Sequence, residues 1–333
     1  MKILLCQEGE KVLSKSGIGR AMKHQIEALK LAGVDFTTNT SDDFDILHVN
    51  TVGADSYRIA KKAQKNGKKI VYHAHSTEED FKNSFAFSNV VAPLFKKWLV
   101  KCYALGNVIL TPTPYSKKLL KQYDLSVEII PISNGVDLGL FKKDDAKIEK
   151  FREYFDLKSS DKIIISVGHF FERKGLPDFF EIAKEFPEYK FIWFGHTPSA
   201  VVTDNIKKAI KSKPKNVIMP GYIKGDIIQG AYAAADMFFF PSYEETEGIV
   251  VLEALAAKCQ VLIRDIGVYE SWLTDSVDCY KGENNQNFKN VIKKYFNNEI
   301  PSTIEKGYGV AESRSLEKIG FQLKKIYEDL LNS

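Results

Sequence analysis

The sequence predicts an α/β protein made of two doubly wound, Rossmann-like parallel-sheet domains, and three observations carry that expectation. Short apolar or β-branched runs alternate with amphipathic segments along the chain, the pattern of parallel sheets covered by helices on both faces. The alternation comes in two series, separated at 131–141 by PISNGVDLGLF, where Pro, Asn-Gly and Gly mark turns and the periodicity lapses. Finally, 333 residues is too long for one ordinary domain.

In the first series the expected strands are 2–7, 45–50, 69–74, 107–113 and 127–132, with helices at 18–32, 54–66, 90–104 and 115–123. In the second they are 162–168, 190–195, 216–221, 237–242 and 260–265, again with helices between. In the last segment, 315–331, Leu316, Ile319, Leu323, Ile326 and Leu330 share a face at helical spacing. This helix can pack on either domain. The expected domains are therefore 1–140 and 141–314, followed by a helix in 315–333 that returns to the first domain or stays on the second.

Composition narrows the class. An apolar fraction of 44% supports packed cores and 27% charged residues suit a soluble protein. No run approaches the ~18 apolar residues of a membrane span, and MKILLCQEGEK reads as a first strand rather than a signal peptide. Cys6, Cys102, Cys259 and Cys279 are scattered, which points to a reducing, cytoplasmic setting and away from structural zinc. Residues 1–150 hold 23 Lys/Arg against 17 Asp/Glu, and the remainder 24 against 26. The first half is thus the side suited to an anionic surface, although solvated surface lysines would give the same balance.

Ligands of open parallel sheets sit beyond the carboxyl ends of the strands, so the residues after each strand are the candidates. Ser16-Gly17-Ile18-Gly19-Arg20 offers a flexible turn that lets amides approach a phosphate; a plain loop glycine pair is the competing reading. As a dinucleotide fingerprint it fails, with Met22 at the third glycine position. His73 and His75 share a strand face. They suit hydrogen bonding to a polar ligand better than a metal, for which Glu78, Glu79 and Asp80 would have to supply further ligands. Arg173 and Lys174 precede Gly175 and a helix, as two fixed cations for a diphosphate or as exposed surface bases. Asp43 and Asp45 precede their strand, at the wrong end of the sheet for a metal–nucleotide site. In EETEGIVVLEALAAK, 244–258, Glu244, Glu245 and Glu247 crowd a helix start that should favour anions.

Together these residues resemble a GT-B glycosyltransferase of the large retaining family 4. The resemblance spans nearly the whole chain. It rests on Phe240-Pro-Ser242, on the E-x7-E spacing of Glu245 and Glu253 around Gly248, on SNGVD at 133–137, on Lys174-Gly175, on Tyr232-x-x-Ala-Asp236 and on Gly267-Val-Tyr-Glu270. Two departures are plain. Gly168-His169 stands where the family often has Gly-Arg, and Ala256-Ala-Lys258-Cys-Gln260-Val lacks the usual Gly and Pro. HSTEEDF, FERKG, FIWFGH and RDIGVYESW are most similar to bacterial glycolipid synthases that add a second hexose to monoglucosyl-diacylglycerol.

The resemblance implies two domains facing a central cleft, and a retaining transfer of glucose or galactose from a UDP-sugar, with an α(1→2) bond as the implied linkage. The product would be a dihexosyl-diacylglycerol or lipoteichoic acid anchor. A family member acting on a polysaccharide or protein acceptor is the alternative. It implies that His75 and Glu245 face the reacting sugar, and that Gly17, Arg173, Lys174 and the amides of Gly248, Ile249 and Val250 meet the diphosphate. Glu253 would hold the ribose and residues near Ile223 the uracil. The implied partners are a UDP-hexose, a glycolipid acceptor and an anionic membrane surface. No nucleic acid, metal or separate cofactor is expected, and the place implied is the inner face of the cell membrane, peripherally bound.

A lipid acceptor calls for a way onto the bilayer. In 85–103, Val91, Leu94, Phe95, Trp98, Leu99 and Cys102 form a helical stripe, with Lys96, Lys97 and Lys101 around it. That fits an interfacial helix, and equally a helix whose stripe packs on the sheet.

Overall fold

The computed structural model describes residues 1–6, 8 and 16–333. Residues 7 and 9–15 lie outside the described residues, and with them the last residue of the strand expected at 2–7; the turn expected at Ser16–Arg20 is described. The chain forms two compact units. One comprises Met1–Phe81, Asn89–Val136 and Arg314–Ser333; the other comprises Lys82–Ser88 and Asp137–Ser313.

The first unit holds strands β1 (Lys2–Cys6), β2 (Asp35–Thr37), β3 (Ile46–Val49), β4 (Lys69–His73), β5 (Val108–Thr111) and β6 (Glu128–Pro131). They pair in the order β2-β1-β3-β4-β5-β6, parallel throughout. Successive strand residues point to opposite faces, and both faces are buried. Leu4, Leu47, Tyr72 and Ile109 pack with Leu99 and Cys102 on one side. Ile3, Leu5, Ile46, Val71 and Leu110 pack with Leu29, Leu316 and Leu323 on the other. That is why these strands read as unbroken apolar runs.

The terminal helix Leu316–Asn332 completes this second face against the helix Gly17–Leu31. Approach is close because position 320 lacks a side chain: a Cβ there would stand 2.0 Å from the Ala28 carbonyl oxygen. Val136 pairs with Ser315 as the chain returns. Leu316, Ile319 and Leu323 are buried, with Ile326 and Leu330 packed beside them.

The second unit holds β7 (Ile163–Val167), β8 (Lys190–Phe194), β9 (Val217–Gly221), β10 (Met237–Phe240), β11 (Val261–Arg264) and β12 (Tyr280–Gly282). The order is β12-β11-β10-β7-β8-β9, all parallel. The core of one face is aromatic, with Phe179, Phe191, Trp193, Phe239 and Phe288 fully buried. Lys82–Ser88 is tied to this unit by backbone bonds from Arg173 N to Asn83 O (3.1 Å) and from Ala86 N to Val201 O (3.2 Å).

Each sheet contains a point where neighbouring strands send their chains to opposite sides, and such points open crevices at the carboxyl edge. They fall between β1 and β3 in the first unit and between β7 and β10 in the second.

Candidate active site

In the second unit, the two chains leaving the switch point carry the candidate donor residues. After β7 a single 3-10 turn, Glu172–Lys174, ends at Gly175 with φ +70°. After β10 the chain runs through Pro241 and Ser242 to the helix Ile249–Ala256. These loops bring Lys174 and Arg173 onto Glu245. Lys174 Nζ donates to Glu245 Oε1 at 2.5 Å, the Ser242 hydroxyl donates to the same oxygen at 2.6 Å, and an Arg173 terminal nitrogen lies 3.8 Å away. Arg173 is itself braced, donating from Nε to Ser84 Oγ (2.9 Å) and from a terminal nitrogen to the Glu244 carbonyl (2.8 Å). Burial pushes the Glu245 carboxyl up, but the charges of Lys174 and Arg173 and the hydrogen bonds from Lys174 and Ser242 outweigh it. The group is held below its ordinary value and stays ionised at neutral pH. A fixed carboxylate beside two fixed cations can read hydroxyls and phosphate oxygens of one ligand.

Gly175 makes this turn possible. Its φ is left-handed, and a Cβ would stand 2.3 Å from the Pro241 carbonyl oxygen. Gly175→Ala is expected to cost more than the ~1–2 kcal/mol of left-handed strain alone, read as a lower midpoint in chemical denaturation. A midpoint equal to wild type would show that the turn relaxes freely.

The three crowded glutamates lie ahead of the helix rather than in it. Gly248 is the N-cap, with φ +87° and no side-chain cap, and no acid occupies the first turn. The start of the helix therefore presents backbone N–H groups at Ile249 and Val250 and the positive end of the dipole. Gly248 also sits against Tyr269, whose hydroxyl would lie 2.9 Å from a Cβ at that position. Glu253 is fully buried within the helix and accepts a hydrogen bond from the Tyr232 hydroxyl at 2.9 Å. Ile223 follows β9 in the loop at the same edge of the sheet and is half-buried.

In the first unit, Gly17 opens the helix Gly17–Leu31. The Ser16 hydroxyl caps this helix by accepting from Gly19 N at 3.2 Å. His75 follows β4 and is buried; its ring stacks on His73 with centroids 4.0 Å apart, and its Nε2 lies 3.1 Å from Asn50 Oδ1. Asn50 follows β3, so both stand at the carboxyl edge near the switch point. Burial pushes the imidazoles of His75 and His48 down to about 3 and that of His73 well below its usual range. All three are neutral at physiological pH. Among the described residues no group of three or more His, Cys, Asp or Glu is placed to hold a metal ion.

The stripe on the helix Ser88–Tyr103 divides. Leu99 and Cys102 are buried in the core; Phe95 and Trp98 are half-buried beside it. Phe95 stacks on Phe81 (4.2 Å), and Trp98 Nε1 donates to the Val52 carbonyl at 2.6 Å. Lys96 pairs with Glu78 (3.3 Å) and lies over the Tyr123 ring. Lys97 and Lys101 are both exposed. The outward apolar residues are Val90, Val91 and Leu94, exposed by 80%, 44% and 69%. No helix among the described residues is long and apolar enough to cross a membrane.

Sequence reasoning passed over several residues that hold these sites. Ser242 and Tyr269 stand inside recognisable motifs, and Asn50 is the first residue after its strand; each had a signal. Ser84, Gln25, His48 and Tyr327 had none, because only folding brings them to the site.

Comparison with known proteins gives the class. Residues 147–307 match the family model of glycosyl transferases group 1, and residues 19–140 match that of glycosyltransferase family 4. The chain belongs to the group 1/family 4 glycosyltransferases. It is 45% identical over 332 residues, 99% of both chains, to the processive diacylglycerol alpha-glucosyltransferase of Acholeplasma laidlawii. It is 25% identical over 308 residues, 89% of this chain and 80% of the relative, to the alpha-galactosylglucosyldiacylglycerol synthase of Streptococcus pneumoniae. Among solved structures, Anabaena HepE in complex with UDP and glucose aligns over 99% of this chain and 100% of its own. The TM-score is 0.78 at 15% identity, a likeness of the GT-B fold.

Proposed function

We propose that this protein is a retaining hexosyltransferase that moves an α-hexose from a UDP-sugar to monoglucosyl-diacylglycerol. The observation that carries this reading is the ionised Glu245, clamped by Lys174 and Ser242 ahead of the uncapped helix start at Gly248–Ile249. It occurs in a chain 45% identical, end to end, to a diacylglycerol glucosyltransferase. In this reading the amides of Gly248, Ile249 and Val250 meet the diphosphate together with Arg173, Lys174 and Gly17. Glu245 contacts the hexose, Glu253 the ribose and the loop at Ile223 the uracil. His75 meets the sugar near the reacting centre.

The acceptor hydroxyl attacks the anomeric carbon from the face the diphosphate leaves. The bond from that carbon to the phosphate oxygen breaks, the bond to the acceptor oxygen forms, and the proton passes to a phosphate oxygen. Catalysis is then positioning plus stabilisation of the departing charge. The designation of the Acholeplasma relative as processive favours a second reading, in which diacylglycerol itself is also an acceptor. The test crosses UDP-glucose and UDP-galactose with diacylglycerol and monoglucosyl-diacylglycerol, reading product linkage by NMR. No turnover with either lipid, but turnover with a polysaccharide or protein acceptor, would overturn the lipid reading.

We also propose that the outer face of Ser88–Tyr103 rests on an anionic bilayer, with Val90, Val91 and Leu94 inserted and Lys97 and Lys101 facing headgroups. Burying each apolar side chain contributes about 1.5–3 kcal/mol and each lysine about 1 kcal/mol. The double substitution Val90→Ser, Leu94→Ser is expected to weaken binding to phosphatidylglycerol vesicles at least ~tenfold, and added salt to weaken the wild type. Unchanged sedimentation with vesicles would remove this face from the interaction.

A further inference from the structure

The stacked pair His73 and His75 is the end of a buried hydrogen-bonded chain, and that chain fixes where each ring carries its proton. A neutral imidazole has one N–H and one bare nitrogen. The Asn50 side chain donates from Nδ2 to Gln25 Oε1 at 2.7 Å, so its Oδ1 accepts, and His75 must present Nε2–H to it at 3.1 Å. That leaves His75 Nδ1 as the acceptor of the ring. On the other branch, the buried Tyr327 hydroxyl lies 2.6 Å from His48 Nδ1; because its oxygen receives the Gln25 amide, we infer that its own O–H is the donor to that nitrogen. His48 then carries its proton on Nε2, which faces His73 Nδ1 at 3.3 Å. The amide nitrogen of Gln25 stands 3.0 and 2.9 Å from the two His48 nitrogens and selects neither. His73 accepts at Nδ1 and therefore holds its own proton on Nε2.

That Nε2 is buried and has no hydrogen-bond partner among the described residues, in a side chain only 5% exposed. A buried donor left unmade costs about 1–3 kcal/mol, so such an atom marks a place where a ligand completes the site. One ring offers an N–H and its stacked neighbour a lone pair, a combination that matches a hydroxyl, which accepts one hydrogen bond and donates another.

We propose that His73 is a substrate-binding residue whose Nε2–H donates to a hydroxyl of the acceptor sugar, and that Tyr327, acting through His48, is the positioning residue that keeps the proton on that nitrogen. The proposal rests on the reading that places His75 at the reacting centre, where the acceptor hydroxyl must also arrive. It assigns a role in recognition to a tyrosine on the terminal helix, two side chains removed from the substrate.

The test combines histidine 15N NMR of the intact enzyme with steady-state kinetics on UDP-glucose and α-monoglucosyl-dioleoylglycerol in mixed micelles. The spectrum is expected to show His73 as the Nε2–H tautomer, with that resonance shifting when the glycolipid is added. Tyr327→Phe is expected to convert His73 to a tautomer mixture and to raise the acceptor KM about fivefold, the worth of roughly one neutral hydrogen bond. The donor KM should stay unchanged. His73→Phe should do at least as much. His73→Gln keeps an N–H at that reach without needing a tautomer, so it should lose less, and adding Tyr327→Phe to it should cost nothing more. A wild-type His73 protonated on Nδ1, or Tyr327→Phe effects that persist undiminished on His73→Gln, would overturn the proposal. Should His73→Phe not fold, the other two variants still decide. Full activity in His75→Gln would instead sink the reading that places His75 at the reacting centre, while the tautomer measurement would stand.

Discussion

Glu245→Ala is expected to lower kcat by about 10²–10³-fold, the scale of losing one preorganised polar group at a reacting centre, while changing UDP affinity far less. The side chain sits 8% exposed, clamped by Lys174 and Ser242, so its position is set before a substrate arrives. Removing it also strips Lys174 of a partner in a nearly water-free place, and breaking such a pair costs about 3–5 kcal/mol. Stability and turnover must therefore be separated. Glu245→Gln keeps the volume and an acceptor oxygen for Lys174 and Ser242. It should unfold closer to wild type and yet remain slow. Lys174→Ala and Arg173→Ala should instead weaken UDP itself, measured by titration calorimetry without a sugar. A Glu245→Ala enzyme with wild-type turnover would remove the residue from the mechanism. The depressed carboxyl sets the direction of the pH dependence. Its stabilisation is present above the ordinary carboxylate value and is lost only as pH falls through the lower folded value, so neutral-pH work does not touch it.

Mild acid is expected to destabilise the first unit steeply. Burial lowers the folded values of His48 and His75 from 6.5 to about 3. Between those limits the unfolded chain binds protons that the folded chain refuses. Stability is therefore complete above about pH 6.5 and falls as the pH drops toward 3, by up to ~1.4 kcal/mol per pH unit for each histidine. From pH 6.5 to 5 the two together amount to about 3 kcal/mol, a large share of an ordinary domain's stability. Denaturation at stepped pH would show it as proton uptake on unfolding of about two from this pair, and of about three once the equally buried His73 is included, by pH 5. A flat profile between pH 7 and 5 would mean that the histidines reach solvent in the folded state.

Much of this was legible before folding because periodicity and turn chemistry are local. The long apolar runs of β1, β7 and β10 and the stripe of the terminal helix declare themselves in sequence. The edge strands β2 and β12 did not. Each has three residues, too few to show a period, and Asp35–Thr37 has no fully buried position. The motif around Glu245 and Gly248 pointed to the donor site proposed above, since a glycine that opens an apolar helix between carboxylates suits a polar, phosphate-bearing ligand. The partners that hold those residues were hidden, because Ser84 is 89 positions from Arg173 and Tyr327 is 279 from His48. Amphipathicity alone also left the place of the 85–103 stripe open: a stripe says that one side is apolar, and only packing shows that Leu99 and Cys102 turn inward while Val91 and Leu94 of the same stripe face out.

The return of Arg314–Ser333 to the first unit has a consequence for the order in which the protein is made. The second unit is contiguous from Asp137 to Ser313 apart from a short borrowed segment, so the ribosome can release it with nearly all of its chain in hand. The first unit emerges earlier yet waits, the Ala28–Leu29 side of its sheet uncovered, until the last helix is synthesised. Tyr327 lies near the end of that helix, so the histidines acquire their proton pattern only once it has been made. A nascent chain halted before residue 316 would carry a finished second unit and a first unit with an open apolar face, the species that chaperones would be expected to hold.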